Sequence, residues 1–149
     1  MLFDWKEYDT SQASSVEAWL DDEAVKGTGL DDGFDEFFNY WKNEDEMDNF
    51  KAFVIFDKAE PIAAIAIDLY ESFVKVMEIV VAPSKRGQGY GSKILNELTE
   101  SAPNLFSDKI SGYEAVIFPS NVASKKAFAK CGYRIEVKDP EGDLWKKSV

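Results

Sequence analysis

The chain has 149 residues, with 28 acidic against 17 basic side chains, no histidine and a formal net charge of −11. This length fits one domain with a single core, and 45% hydrophobic residues are typical of a folded globule rather than a disordered segment. The acidic balance argues against nucleic-acid binding, which requires a cationic surface. The one cysteine excludes an internal disulfide and fits a reducing compartment. Because no apolar run is long enough to span a bilayer and no secretory signal opens the chain, a cytoplasmic protein without a membrane partner is expected.

The first half of the chain predicts helices and then strands. Residues 2–8 predict a short strand, and residues 11–25 predict one helix with Val16, Trp19 and Leu20 on one stripe. Residues 34–41 predict an amphipathic helix, because aromatic side chains recur at positions i, i+3, i+4 and i+7. Three strands joined by tight turns follow as an antiparallel meander, at residues 52–57, 62–70 and 73–82.

The second half predicts alternating helices and strands. A helix with an apolar face at Ile94, Leu95 and Leu98 is expected to end at Pro103. Further elements are a strand at residues 113–118, a helix at 121–131 with an asparagine N-cap, and a closing hairpin at 133–138 and 144–147. Strands followed by strand–helix–strand–helix predict an α+β or mixed α/β fold.

The stretch from Val81 to Gly91, VAPSKRGQGYG, places three alternate glycines between a strand and a helix. Glycine lets a ligand approach the main chain, and the free N–H groups of a helix's first turn attract phosphate. With Lys85 and Arg86 beside them, the glycines suit a pyrophosphate. The dinucleotide fingerprint fails because Ser92 stands where it needs glycine, and no Gly-Lys-Ser/Thr is present for a triphosphate loop. A glycine turn without a ligand remains the alternative.

Two motifs resemble those of the GNAT acetyltransferase superfamily. Val81-x-Pro83-x-x-Arg86-Gly87-x-Gly89-x-Gly91 resembles its acyl-CoA pyrophosphate loop, and Asn121-x-x-Ser124-x-x-x-Phe128-x-x-x-Gly132-Tyr133 resembles its later helix. The resemblance implies one domain over residues 1–149. It also implies a mostly antiparallel, twisted sheet of about six to seven strands, splayed in the middle and flanked by about four helices.

The resemblance implies acetyl-CoA as the cofactor and no metal. Main-chain N–H groups of the glycine loop would hold the pyrophosphate, and the preceding strand would bind the pantetheine arm as an added strand. Whether Lys125 or Lys126 reaches a phosphate, or both are solvated surface lysines, stays open. The residues expected to bind the cofactor are Ile79, Val80, Val81, Arg86, Gly87, Gln88, Gly89, Tyr90, Gly91, Ser92, Asn121, Ser124 and Phe128.

Acetyl transfer to an amine needs a base, and without histidine a carboxylate is the natural one. Glu78 is the candidate, since strict alternation places it on one face with Val76 and Val80, where apolar neighbours would raise its pKa. The alternatives are a strand carboxylate paired with a lysine or left at a wet edge, and a β-bulge that reverses its facing.

For the proton donor to the departing thiolate, the sequence leaves several alternatives. Phe128 stands where many relatives have a tyrosine, and it cannot donate a proton. Tyr133, Ser124 or water would substitute, or the thiolate would leave unassisted. Cys131 is expected to be a buried small hydrophobe rather than a nucleophile.

Acidic residues are concentrated where the family builds its acceptor site. We therefore expect a primary amine acceptor, a cationic small molecule or a peptide amine, with the solubility of acidic helices as the alternative. The runner-up function is a non-catalytic acyl-CoA-binding module, and the chain is expected to be a monomer or homodimer. The acidic residues are Asp21, Asp22, Glu23, Asp31, Asp32, Asp35, Glu36, Glu44, Asp45, Glu46 and Asp48.

Overall fold

The computed structural model describes residues 1–44 and 49–149, which form a seven-stranded sheet and five α-helices. Three of the acidic residues above, Asp45, Glu46 and Asp48, lie outside this part. None of the described helices is long and apolar enough to cross a membrane. The elements in chain order are β1 (Asp4–Glu7), α1 (Ala13–Glu17), α2 (Asp22–Thr28), α3 (Phe34–Lys42), β2 (Lys51–Asp57), β3 (Glu60–Tyr70), β4 (Phe73–Val81), α4 (Tyr90–Leu105), β5 (Gly112–Ile117), α5 (Val122–Lys130), β6 (Arg134–Val137) and β7 (Asp143–Ser148).

The sheet has the strand order β1-β2-β3-β4-β5-β7-β6, and only the β4–β5 pair is parallel. The predicted mixed α+β fold with a mostly antiparallel sheet is therefore confirmed. The turns of the meander place Lys58 and Ala59, and then Glu71 and Ser72, at positive φ. Two consecutive residues with positive φ make a tight hairpin turn whose twist matches that of the flanking strands.

Two hydrophobic cores lie on opposite faces of the sheet. On one face, Ile94, Leu95 and Leu98 of α4 and Phe128 of α5 pack on the strands. We call it the α4–α5 face. The other, the α1–α3 face, buries side chains of α1 and α3, among them Phe34, against β2, β3 and β4. The predicted apolar stripes of these helices thus point into the cores.

The single helix predicted over residues 11–25 is wrong, because the chain breaks between α1 and α2. Asp21 has extended backbone angles and caps α2, accepting a hydrogen bond from the backbone N–H of Ala24 at 3.0 Å. The same carboxylate binds Arg86, 65 residues away. This long-range pair, together with the cap, favours a new helix start over continuation of the first.

The prediction that α4 ends at Pro103 is also wrong, since the helix continues to Leu105. A proline inside a helix removes the hydrogen bond to the carbonyl four residues earlier, which here belongs to Thr99. The Tyr113 hydroxyl on β5 donates to that carbonyl at 3.2 Å. The lost bond is therefore replaced by a side chain from the neighbouring strand.

Candidate active site

The site begins where the parallel strands β4 and β5 separate. They pair only from Phe73 with Gly112 to Val76 with Ala115. Beyond this point, residues 77–81 of β4 have no strand partner on the β5 side among the described residues. The unpaired main chain faces a gap between the strands, as the predicted central splay requires.

A cavity of about 660 Å³ runs from this gap to the glycine loop. A smaller cleft, called the deep cleft, lies in the gap beside it and shares walls with it, so the two spaces adjoin. The shared walls come from α2, β4 and α5. They are Gly27, Thr28, Ile79, Asn121, Ser124 and Phe128.

The glycine loop lines the cavity with its main chain. Gly87 and Gly89 have φ angles of 73° and 84°, in the left-handed region that favours glycine. A Cβ added to either would meet no atom within 4 Å, so the space above them is open. Gly91 has another role, since a Cβ there would lie 3.5 Å from that of Ala127 on α5. The loop therefore presents an open backbone at the start of α4, which is the geometry that holds phosphate.

Not every side chain of the loop faces the cavity. The Gln88 side chain is exposed and donates to the Ser84 carbonyl at 2.8 Å, and it is not among the residues that line the space. The Tyr90 hydroxyl donates to Asp57 at 3.3 Å. Ser92 is buried and lines the cavity. A role for Gln88 would thus rest on its backbone N–H.

The Arg86 guanidinium is already engaged in the protein. Its two terminal nitrogens contact the two carboxylate oxygens of Asp21 at 2.9 and 3.1 Å, and one also donates to the Trp19 carbonyl at 3.1 Å. This pair holds the pKa of Asp21 below its usual value. The geometry fastens the start of α2 to the glycine loop, whereas the sequence predicted a contact with phosphate.

Helix α5 contributes polar and cationic groups. The Asn121 side chain caps α5 by accepting from the backbone N–H of Ser124 at 3.2 Å, and its amide donates to the Gly27 carbonyl of α2 at 3.1 Å. Of the two lysines considered for phosphate binding, Lys125 donates to the Pro119 carbonyl at 2.8 Å, whereas Lys126 lines the cavity. Lys126 is therefore the better placed of the two. Lys130, one helical turn further on, lines it too.

Glu78 lies in the deep cleft, and a β-bulge sets its direction. The register changes from Ala66 opposite Glu78 to Ile67 opposite Val76, so Met77 is the extra residue. Residues directly opposite each other share a face, so Glu78 shares the α1–α3 face with Ala66. The prediction that it shares a face with Val76 is wrong, because Val76 packs on the α4–α5 face and only Val80 on the other.

The carboxyl group of Glu78 has the properties of a base that works near neutral pH. It is partly buried, and desolvation raises its pKa from 4.5 to about 8. It makes no hydrogen bond or ion pair with the residues that the structure describes, so no lysine neutralises it. Of the side chains that line the deep cleft, it alone is ionisable.

The surroundings of Phe128 limit the choice of proton donor. Its buried ring lines both parts of the cavity and packs edge-on against Tyr133 at 4.8 Å between centroids. The Tyr133 side chain is buried behind it and does not line the space. Ser124, which carries a hydroxyl, does line it. Cys131 is buried, as expected, and burial raises its pKa.

The sequence placed Asp22 and Glu23 of α2 in the acidic acceptor region, but it did not predict that α2 lines the cofactor cavity. Glu23, Ala24, Gly27 and Thr28 line that cavity, although no motif marks them. Lys130 was not among the residues expected to bind the cofactor, although its spacing of four residues from Lys126 places both on one side of α5. Among the described residues, no three His, Cys, Asp or Glu side chains converge as a metal site would require.

The comparisons with known proteins agree with this geometry. The model of the acetyltransferase (GNAT) family matches residues 13–133. The chain belongs to the GNAT family. Its members use acetyl-CoA as the acyl donor, and the open glycine loop, the splayed strands and the cationic α5 fit that molecule.

Solved GNAT structures share the fold over nearly the whole chain. An acetyltransferase from Thermus thermophilus has a TM-score of 0.80 at 14% identity, covering 100% of this chain and 98% of the other. PseH, an N-acetyltransferase of Campylobacter jejuni in complex with acetyl coenzyme A, has a TM-score of 0.72 at 18% identity, covering 99% of each chain. The aminoglycoside enzyme AAC(6')-Ib, in complex with paromomycin and acetyl-CoA, has a TM-score of 0.78 at 15% identity, covering 99% of this chain and 94% of the other. No curated protein matches the sequence.

Proposed function

We propose that this GNAT protein is an N-acetyltransferase that moves the acetyl group of acetyl-CoA directly to a primary amine in a ternary complex. The observation that carries the proposal is that the two spaces adjoin. One is lined by the open backbone of Gly87 and Gly89, and the other by an unpaired, desolvated carboxyl group at Glu78. Solved relatives with acetyl-CoA and an aminoglycoside support an amine acceptor.

The chain's own residues divide the task of binding. Main-chain N–H groups of the glycine loop would hold the pyrophosphate, and the unpaired edge of Ile79, Val80 and Val81 would bind the pantetheine arm. Lys126 and Lys130 add positive charge beside the loop. Acetyl-CoA supplies an activated thioester at the end of this path.

Glu78 would act as the base. The ammonium of the acceptor gives a proton to the carboxylate, which releases it to water. The neutral nitrogen then bonds to the acetyl carbon, and the carbon–sulfur bond breaks with its electron pair left on sulfur. The sulfur takes up the second proton of the nitrogen, so the products are an amide and a thiol. The Ser124 hydroxyl, which lines the gap, is the candidate donor for relaying this proton.

A non-catalytic acyl-CoA-binding module remains the second candidate, because Phe128 offers no proton to the leaving sulfur. Two measurements separate the candidates. Calorimetric titration with acetyl-CoA tests binding, and release of free thiol in the presence of a panel of primary amines tests transfer. We expect both binding and release. Binding without release from any amine would favour the module, and absence of binding would overturn both.

A further inference from the structure

The strand walls of the deep cleft beside Glu78 are apolar. Met77 beside it, together with Val116 and Phe118 at the end of β5, lines the deep cleft. Val116 is 50% exposed and Phe118 36% exposed, although both are large hydrophobic side chains. Exposed apolar groups that are gathered at a reaction cleft indicate a binding surface.

This apolar surface continues beyond the cleft across the sheet. Val116 lies opposite Leu144 on β7, which lies opposite Val137 on β6. Opposed residues share a face, so the three form a row on the α1–α3 face. Val137 is 53% exposed. At the turn between β6 and β7, a Cβ on Gly142 would lie 2.5 Å from Val116, so the hairpin closes tightly against the row.

The deep cleft itself offers one ionisable side chain to a cation. Of the residues that line it, Glu78 alone carries a carboxyl group. Nearby acids have partners in the protein, since Asp21 is bound by Arg86 and Asp35 accepts from the Tyr8 hydroxyl at 2.6 Å. The lining of the cleft therefore suits a single ammonium group.

We propose that the acceptor is a primary amine with a single ammonium group next to an apolar group, aromatic or branched, rather than a polyamine or an aminoglycoside. This inference rests on the proposed function. The nitrogen would lie beside Glu78, where it loses its proton and forms the amide as described above. The apolar group would lie on the wall formed by Val116 and Phe118, where its burial supplies binding free energy.

The test compares phenethylamine with spermidine as acceptors, using thiol release at saturating acetyl-CoA. We expect kcat/KM to be at least about tenfold higher for phenethylamine. Val116→Ser should lower that preference about threefold through KM, with the acetyl-CoA affinity unchanged. Ile135→Ser is the matched control, since Ile135 is 40% exposed but opposes the core residue Trp145 on the α4–α5 face. This control should behave as the unaltered protein does.

A preference for spermidine, or a phenethylamine preference that Val116→Ser leaves intact, would overturn the inference. Calorimetry of the CoA-loaded protein with each amine separates this failure from that of the proposed function. If no amine releases thiol, transfer is disproved, and the calorimetry still decides which amine the cleft binds. Tighter binding of phenethylamine, weakened by Val116→Ser, supports the inference in that case, and equal or weaker binding overturns it.

Discussion

At the scale of single residues, the proposed function depends on how a strand carries Glu78. The bulge at Met77 places the carboxyl group on the α1–α3 face, and desolvation raises its pKa to about 8. A carboxyl group with this pKa is ionised in about half of the molecules at pH 8. The strand would thus provide the proposed base without a histidine.

Replacing Glu78 by glutamine should slow transfer and change its pH dependence. In the unaltered protein, kcat/KM should rise with pH through about 8, as the carboxyl group ionises. In Glu78→Gln this limb should disappear and kcat should fall about 100-fold, because no base remains. The ammonium of an alkyl amine has a pKa of about 10, so the rise in kcat/KM that its deprotonation causes occurs at higher pH than the rise caused by Glu78. A variant that keeps both the limb and the rate would exclude Glu78 as the base.

The same substitution should stabilise the protein at alkaline pH. Because the folded pKa lies above the unfolded one, the folded state retains a proton between pH 4.5 and about 8 that the unfolded chain loses. The associated stability is present below 4.5 and is lost as pH rises through about 8. Other carboxyl groups are common to both proteins. The Tm of Glu78→Gln minus that of the unaltered protein should therefore increase over this range, and a constant difference would contradict the shifted pKa.

Two neighbouring lysines offer a matched test of the cofactor site. Lys126 lines the cavity, whereas Lys125 is tied to the Pro119 carbonyl. Lys126→Ala should weaken acetyl-CoA binding by about 1 kcal/mol and make it less sensitive to salt, because one phosphate contact is lost. Lys125→Ala should leave the calorimetric Kd unchanged. Equal effects of the two variants would indicate a general surface charge rather than a site.

At the scale of elements, α2 bridges the splayed strands. Its start is fastened to the glycine loop by Arg86 and Asp21, and its end to α5 by the Asn121 amide and the Gly27 carbonyl. A Cβ on Gly27 would lie 3.0 Å from that amide nitrogen, so glycine at this position allows the close approach. The helix therefore forms a wall for both halves of the cavity.

A double-mutant cycle should show which partner Arg86 serves. If it acts by holding α2, then Arg86→Ala and Asp21→Ala should each weaken acetyl-CoA binding by about threefold to tenfold, and the double variant by no more than either. If the guanidinium instead binds phosphate, Arg86→Ala should weaken binding while Asp21→Ala leaves it unchanged or strengthens it. We expect the first pattern, because both terminal nitrogens are held by Asp21.

Local patterns predicted most elements, and distant partners explain the exceptions. Helix α5 followed from Asn121 as a cap and from Gly132, whose φ is 93°. The glycine loop followed from its motif. In contrast, the break before α2 depends on Arg86, and the continuation of α4 past Pro103 depends on Tyr113. Alternation alone did not reveal the bulge at Met77, because apolar residues stand on both sides of it.

At the scale of the whole molecule, the two proposed substrates carry opposite charges. The net charge of −11 attracts an ammonium and repels a phosphorylated cofactor. The lysines beside the glycine loop offset this repulsion locally, whereas Glu78 in the deep cleft adds to the attraction once it is ionised. The field of the protein would thus favour the proposed acceptor beside Glu78 and the donor beside the glycine loop.

Ionic strength should therefore act in opposite directions on the two substrates. Raising salt from 0.01 to 0.15 M shortens the Debye length from about 30 to about 8 Å, which screens the distant acidic surface more than the lysines in direct contact with phosphate. We expect kcat/KM for phenethylamine at saturating acetyl-CoA to fall about threefold, since steering is lost. The association rate of acetyl-CoA, measured by stopped flow, should rise or stay level. If salt leaves kcat/KM for the amine unchanged, the acidic surface serves solubility alone. If salt lowers both kcat/KM for the amine and the association rate of acetyl-CoA, the local lysines rather than the net charge control entry of the cofactor.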